Sequence, residues 1–326
     1  MPEKKSFSPE VLKIDAAAEV ERIKTLIKSY LMEHKRKGSV VAMSGGVDSS
    51  VVAALCVHAL GPTRVLGLLL PEKDSAAETL RLSRIAADAL GIKTIEEDIT
   101  DTLKAVGCYS RRDASVREVI PEFNSDYKCK IVLPSVIDSD SYRLFSVVAQ
   151  SPEGKVIKAR LTPTAYLGVV AASNFKQRIR KMFEYYHADR LNYAVMGTPN
   201  RLEYDKGFFV KNGDGSADVK PIAHLYKTQV YQLAEHLGVP VEITSRPPTT
   251  DTYSMPQSQE EFYFSLPYHK MDLCLYARTN GIPAYAAAPV VGLTSEQVER
   301  VFRDIDQKRK TTRYLHLKPQ LVEEIF

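Results

Sequence analysis

Two hydrophobic periods alternate along the N-terminal part of the chain. Val20, Ile23, Ile27, Tyr30 and Leu31 recur at helical spacing, so the stretch from Asp15 to Lys37 predicts an amphipathic helix. "SVVAM" (39–43) and "RVLGLLL" (64–70) are short unbroken apolar runs, which predicts strands buried on both faces. "SSVVAALCVHAL" (49–60) predicts a helix stopped by Gly61-Pro62. "DSAAETLRLSRIAADAL" (74–90) predicts another, with Asp74 as its N-cap and Gly91 at its end. "IKTIEEDI" (92–99) starts a third strand. Apolar strands alternating with helices imply a parallel sheet covered by helices, an α/β fold.

The alternation then fails. "KCKIVLP", "YRLFSVVAQ" and "VIKARL" are β-rich, and "SPEGK" supplies a hairpin turn between the last two. The expectation is a β-rich insertion from about 106 to 170. Beyond it, "NFKQRIRKMFEYYHADR" (174–190) predicts a helix, "LNYAVMG" a strand, and "YKTQVYQLAEHLG" a helix ended by Gly238. The whole, 1–326, is expected to be one domain.

Composition narrows the class. With 44% hydrophobic and 26% charged residues, the chain can bury a substantial core. A net charge of +4 suits anionic small substrates and does not demand nucleic acid. No apolar run is long enough to span a membrane and no signal peptide is visible, which favours the cytoplasm. The cysteines Cys56, Cys108, Cys129 and Cys274 form no C-x-x-C, so neither zinc nor a disulfide framework is expected.

The candidate chemistry starts at "MSGGVDSS", between the first strand and its helix. In an open parallel sheet, ligands bind beyond the carboxyl ends of the strands. The glycines let backbone N–H groups converge, a helix N-terminus stands behind them, and the serines add donors, which together make an anion site. Asp48 would repel phosphate unless it holds a Mg²⁺ that the phosphate also binds. Neither G-x-x-x-x-G-K-[ST] nor G-x-G-x-x-G is present. Taken singly, the turn could be an ordinary strand-to-helix connection, and Arg178, Lys211, Glu203 and Lys227 could be surface charges.

S-G-G-x-D-S resembles the signature of the ATP pyrophosphatases, which split ATP between the α and β phosphates to adenylate a substrate. R-x-R, G-T-x-N-x-x-E, G-F-F-x-K-x-G-D-G-x-A-D and L-Y-K-T-Q-V follow in the order seen in the NAD synthetase family, especially its ammonia-dependent members. The resemblance implies a Rossmann-like fold of the adenine nucleotide alpha hydrolase type. It implies that Ser44, Gly45, Gly46, Val47, Asp48, Ser49, Thr198, Lys227 and Thr249 bind ATP, and that Asp48 and Glu203 hold Mg²⁺. Arg178, Lys211, Asp218 and Lys308 would bind the dinucleotide acceptor. No side-chain nucleophile is implied; Asp48 and Lys227 would position the reactants. The reaction would join ammonia to the carboxylate of nicotinate adenine dinucleotide (deamido-NAD), giving NAD, AMP and pyrophosphate. Family members are homodimers, so a homodimer is implied. The sequence departs from the family at "PPTTDTYSMP", at Phe264-Ser265 and at Gln307. These departures keep open a related ligase acting on another carboxylate. A sulfur-transferring or RNA-modifying relative would carry paired cysteines or an appended RNA-binding module, and neither is visible.

Overall fold

The computed structural model describes residues 7–136, 144–250 and 252–325. Seven strands are present among them: β1 (Ser39–Ala42), β2 (Val65–Leu69), β3 (Lys93–Glu96), β4 (Lys128–Val132), β5 (Ser146–Gln150), β6 (Val156–Arg160) and β7 (Ala194–Met196). The principal helices are α1 (Ala16–Glu33), α2 (Val47–Leu60), α3 (Ala77–Leu90), α4 (Thr100–Ala105), α5 (Cys108–Arg117), α6 (Pro163–Leu191) and α7 (Arg201–Lys206). They continue with α8 (Lys227–His236), α9 (Val241–Thr244), α10 (Tyr268–Thr279), α11 (Ala284–Val291) and α12 (Ser295–Thr312). No helix among the described residues is long and apolar enough to cross a membrane.

The main sheet has the order β3-β2-β1-β7, and all its pairings are parallel. From β1 the chain runs outward to β2 and β3, then returns on the other side as β7. The strand order therefore reverses at β1, and a crevice opens at its carboxyl end. One face of the sheet is covered by α1, α2, α3 and α8 through residues such as Ile27, Leu55, Leu82 and Val230. On the other face Leu68, Leu103, Ile179 and Val195 join α4 and α6 to the strands. Helices α10 to α12 build a further apolar cluster around Leu275 and Val301.

The region expected to be β-rich is more helical at both ends. Its β part spans only Lys128 to Arg160, an antiparallel sheet in the order β4-β5-β6. Cys108, Arg112 and Val116 form the buried stripe of α5. Arg112 occupies a core position that an apolar residue would ordinarily mark, which hides the helical period. The following helix begins at Pro163, with Thr162 Oγ1 accepting from Ala165 N at 3.0 Å, well before the predicted start at Asn174. Gly168 masks that first half, yet it is what lets α5 and α6 touch. A Cβ there would meet Ser115 Oγ at 2.2 Å. Part of the predicted "YRLFSVVAQ" strand, Tyr142 and Arg143, lies outside the described residues.

Asp74 is not the cap of α3. The N-cap is Ala76, with no side-chain hydrogen bond. Lys176 Nζ lies 2.7 Å from Asp74 Oδ2 and 2.8 Å from Glu72 Oε1, while Arg112 reaches Asp74 at 2.6 Å. All four side chains are buried. Hydrogen bonds to charged partners outcompete a neutral backbone cap, and a buried carboxylate demands such partners.

Candidate active site

The turn after β1 owes its shape to Gly45. Its φ is +67°, and a Cβ would lie 2.6 Å from Thr79 O and 2.9 Å from Leu82 Cβ. Only glycine meets both constraints. Helix α2 starts two residues later, so the loop presents its N–H groups at a helix N-terminus, where partial positive charge collects. The serines are held locally. Ser44 N donates to Ser49 Oγ at 3.2 Å, and the Ser49 and Ser50 hydroxyls each donate to Gly46 O at 3.0 Å.

This loop forms one wall of a cleft of about 440 Å³. Thr198, Glu203, Lys227 and Thr249 line the same cleft, so every predicted ATP or Mg²⁺ residue faces one space. Each arrives on a different element. Asn200 opens α7 with a capping box: Glu203 N donates to Asn200 Oδ1 at 3.2 Å, and Asn200 N donates to Glu203 Oε2 at 3.1 Å. The box aims the Glu203 carboxylate, whose other oxygen accepts from Gln259 Nε2 at 3.0 Å. Asn200 Nδ2 donates to Asp48 Oδ1 at 3.0 Å, and Lys227 Nζ donates to Asp48 Oδ2. Lys227 opens α8, whose Thr228 N donates to the buried Asp272 at 2.7 Å.

The electrostatics are those of a crowded charge cluster. Burial, and then the charge of Asp48, push the Glu203 carboxyl up to about 8, against the pull of Lys227. Burial opposes the charge on Lys227, but Asp48 and Glu203 outweigh it and hold its ammonium firmly protonated. Two carboxyls and one ammonium thus face the anion loop, and the second carboxyl is not fully ionised near neutral pH without a further cation.

The four predicted acceptor residues lie elsewhere, and none lines the cleft. Arg178 is exposed, with Nε donating to Lys211 O at 3.3 Å. Lys211 Nζ donates to Tyr314 O at 3.0 Å. Lys308 Nζ donates to Tyr263 O at 2.6 Å and pairs with Asp304 at 2.9 Å. Asp218 accepts from Val195 N at 2.7 Å and so closes the open side of β7. The cleft instead takes in Arg180, Lys181, Glu184 and Asp214, which sequence reasoning passed over as binding residues. Asp214 accepts from Val210 N at 2.8 Å, and burial raises its pKa. Arg180 was visible as the second arginine of R-x-R; the signal for Asp214 was the G-D-G turn itself.

The family described as NAD synthase matches residues 19–126 and 146–314. The chain belongs to this family. The NH(3)-dependent NAD(+) synthetase of Rhizobium meliloti (strain 1021) is 57% identical over 319 residues, covering 98% of this chain and 96% of its own. The protein of the same name from Mesorhizobium japonicum is 58% identical over 316 residues, covering 97% and 99%. The solved structure of NMN synthetase from Francisella tularensis superposes with a TM-score of 0.62 over 95% of this chain and all of that one. At 22% identity it speaks for the fold alone. The family match omits 127–145, which contains β4.

Proposed function

We propose that this protein is an ammonia-dependent NAD synthetase, a carbon–nitrogen ligase that forms AMP. The observation that carries the reading is the convergence of Asp48, Glu203 and Lys227 on the anion loop at the β1 switch point. The family membership and the long, well-covered relatives supply the acceptor. The loop N–H groups and Lys227 would receive the ATP phosphates, with Thr198 and Thr249 beside them. Asp48 and Glu203 fit a Mg²⁺ ion. Each is a carboxylate, they repel one another, and Mg²⁺ needs only one or two protein carboxylates with water and phosphate completing its shell. When bound, the ion would neutralise charge building on the pyrophosphate leaving group.

The acceptor carboxylate oxygen attacks the α phosphorus, and pyrophosphate leaves. Ammonia then attacks the acyl carbon, sheds a proton, and AMP departs. The chain contributes orientation and fixed charge, with no side-chain nucleophile. Asp214, a buried carboxyl facing the cleft, can take the proton. We further propose that the protein is cytoplasmic and a homodimer; light scattering of the purified protein tests the dimer.

Purified protein is incubated with Mg-ATP, ammonium and either deamido-NAD or nicotinate mononucleotide. NAD, AMP and pyrophosphate in equal amounts from the dinucleotide support the reading. Amide from the mononucleotide alone would move the acceptor to the related ligase, and no AMP from either would refute it.

A further inference from the structure

The family match breaks off at 126 and resumes at 146, and the omitted stretch supplies β4, one of the two edge strands of the added sheet. An edge strand carries outward N–H and C=O groups that need a partner. Here the partner comes from the wall of the cleft. Cys129 N donates to Ser254 Oγ at 2.9 Å, and Met255 N donates to Cys129 O at 3.2 Å. The amide of Gln257, itself buried, donates to Ile131 O. Lys130 adds an ion pair to Glu261 at 2.7 Å.

The segment held in this way lines the cleft. Thr249 and Ser258 form a bridge, and Thr250 N donates to Gln257 O at 3.0 Å, so the chain doubles back at Ser254–Gln257. Thr249, Tyr253, Gln259 and Phe262 face the cleft on either side of that bend. Tyr253 also enters the core of the added sheet, beside Phe123, Ile131 and Val147. Lys176 fastens the near end through Thr252 O at 2.9 Å. Gln259, two residues past Gln257, donates to Glu203.

We propose that β4 is a brace for the cleft-wall segment 252–262, and that Ser254 and Gln257 are positioning residues that set Gln259 against Glu203 before any substrate arrives. In this arrangement the order of the segment comes from the protein, so substrate binding need not supply it. A cleft wall already in place when the adenylate forms also keeps out water, which competes with ammonia. The inference rests on the ligase reading for its consequence, but its physical content is independent of it.

The test pairs two readouts on the full-length protein. Hydrogen exchange of ligand-free protein follows amides 252–262. The Ser254→Ala/Gln257→Ala variant should exchange there roughly tenfold faster than the parent, while α2 and β1 keep their protection. Lys130→Ala, which leaves the added core intact, should loosen 256–262 in the same direction by a smaller factor. Ser254→Thr alone, which keeps the hydroxyl acceptor, should show the parent pattern. In the ligase assay the double variant should raise the ratio of AMP to NAD and the KM for ATP; a purely structural defect would lower the amount of active enzyme without moving that ratio. Unprotected 252–262 amides in the parent, or equal protection in parent and double variant, would overturn the brace. Faster exchange in the double variant, together with a parent that makes no amide, would uphold the brace and sink the ligase reading.

Discussion

Replacing Glu203 with glutamine should make the protein more stable and inactive at once. The Glu203 carboxyl is raised from 4.5 to about 8 by burial and by Asp48. The folded state therefore binds this proton more tightly than the unfolded chain. The stability it contributes is complete below about 4.5 and is lost as pH rises through about 8. At 1.36 kcal/mol per unit, the shift corresponds to at most about 5 kcal/mol of penalty above that range. Two deductions apply. The carboxyl touches the cleft, where solvent screens part of its charge. A glutamine oxygen can also accept from only one of Asn200 N and Gln259, which costs about 1–2 kcal/mol. A net gain of about 2 kcal/mol remains, roughly 3 °C in Tm for a chain of this size. The assay is thermal melting of parent and Glu203→Gln from pH 5 to 9, with and without Mg-ATP. The variant's advantage should be small at pH 5, grow through neutrality and level off above pH 8. Mg-ATP should stabilise the parent far more than the variant. A variant that melts at or below the parent at pH 8.5, or an advantage independent of pH, would refute the reasoning.

Other expectations can be checked alongside. Asp48→Asn should retain the fold and lose about a thousandfold in turnover, because the loop loses the charge that holds Lys227 and, on the proposed reading, Mg²⁺; normal turnover at limiting Mg²⁺ would remove Asp48 from that role. Arg178→Ala should raise the KM for the dinucleotide about tenfold with little change for ATP, because Arg178 lies outside the cleft lining; an effect on ATP alone would refute its assignment to the dinucleotide. All four thiols are buried, with Cys56 and Cys274 pushed up to about 12 and Cys108 and Cys129 to about 11. A thiol reagent at pH 8 should therefore label the native protein far more slowly than the unfolded chain, and rapid native labelling would contradict the packing.

The sheet was legible because β1 and β2 are uninterrupted apolar runs and their connecting helices carry plain stop signals. The anion loop was legible because glycine, serine and aspartate crowd a place where neither regular element wants them. What escaped was whatever depends on distant partners. Asp48 and Lys227 are 179 residues apart, and nothing local in "YKTQV" announces that its lysine will be buried against a carboxylate. Asp74 looked like a cap because caps are local, whereas its true partners, Lys176 and Arg112, lie 102 and 38 residues away. Arg178 stood in a recognisable motif, but helical phase put it outward and turned Arg180 toward the cleft.

Helix α6 has a mechanical consequence. Its 29 residues rise about 43 Å at 1.5 Å each. Ala165 and Val169, near its start, are cemented into the added sheet's core, and Ile179 and Ala188 into the main sheet's. Between them, on the same rigid rod, sit Lys176 and Gln177, with Arg180 and Lys181 just beyond. Force applied to the outer surface of the added sheet therefore reaches the cationic wall of the cleft without crossing a flexible joint. An antibody fragment or cross-linker seated on β6, outside the cleft lining, would have a direct handle on the ligase.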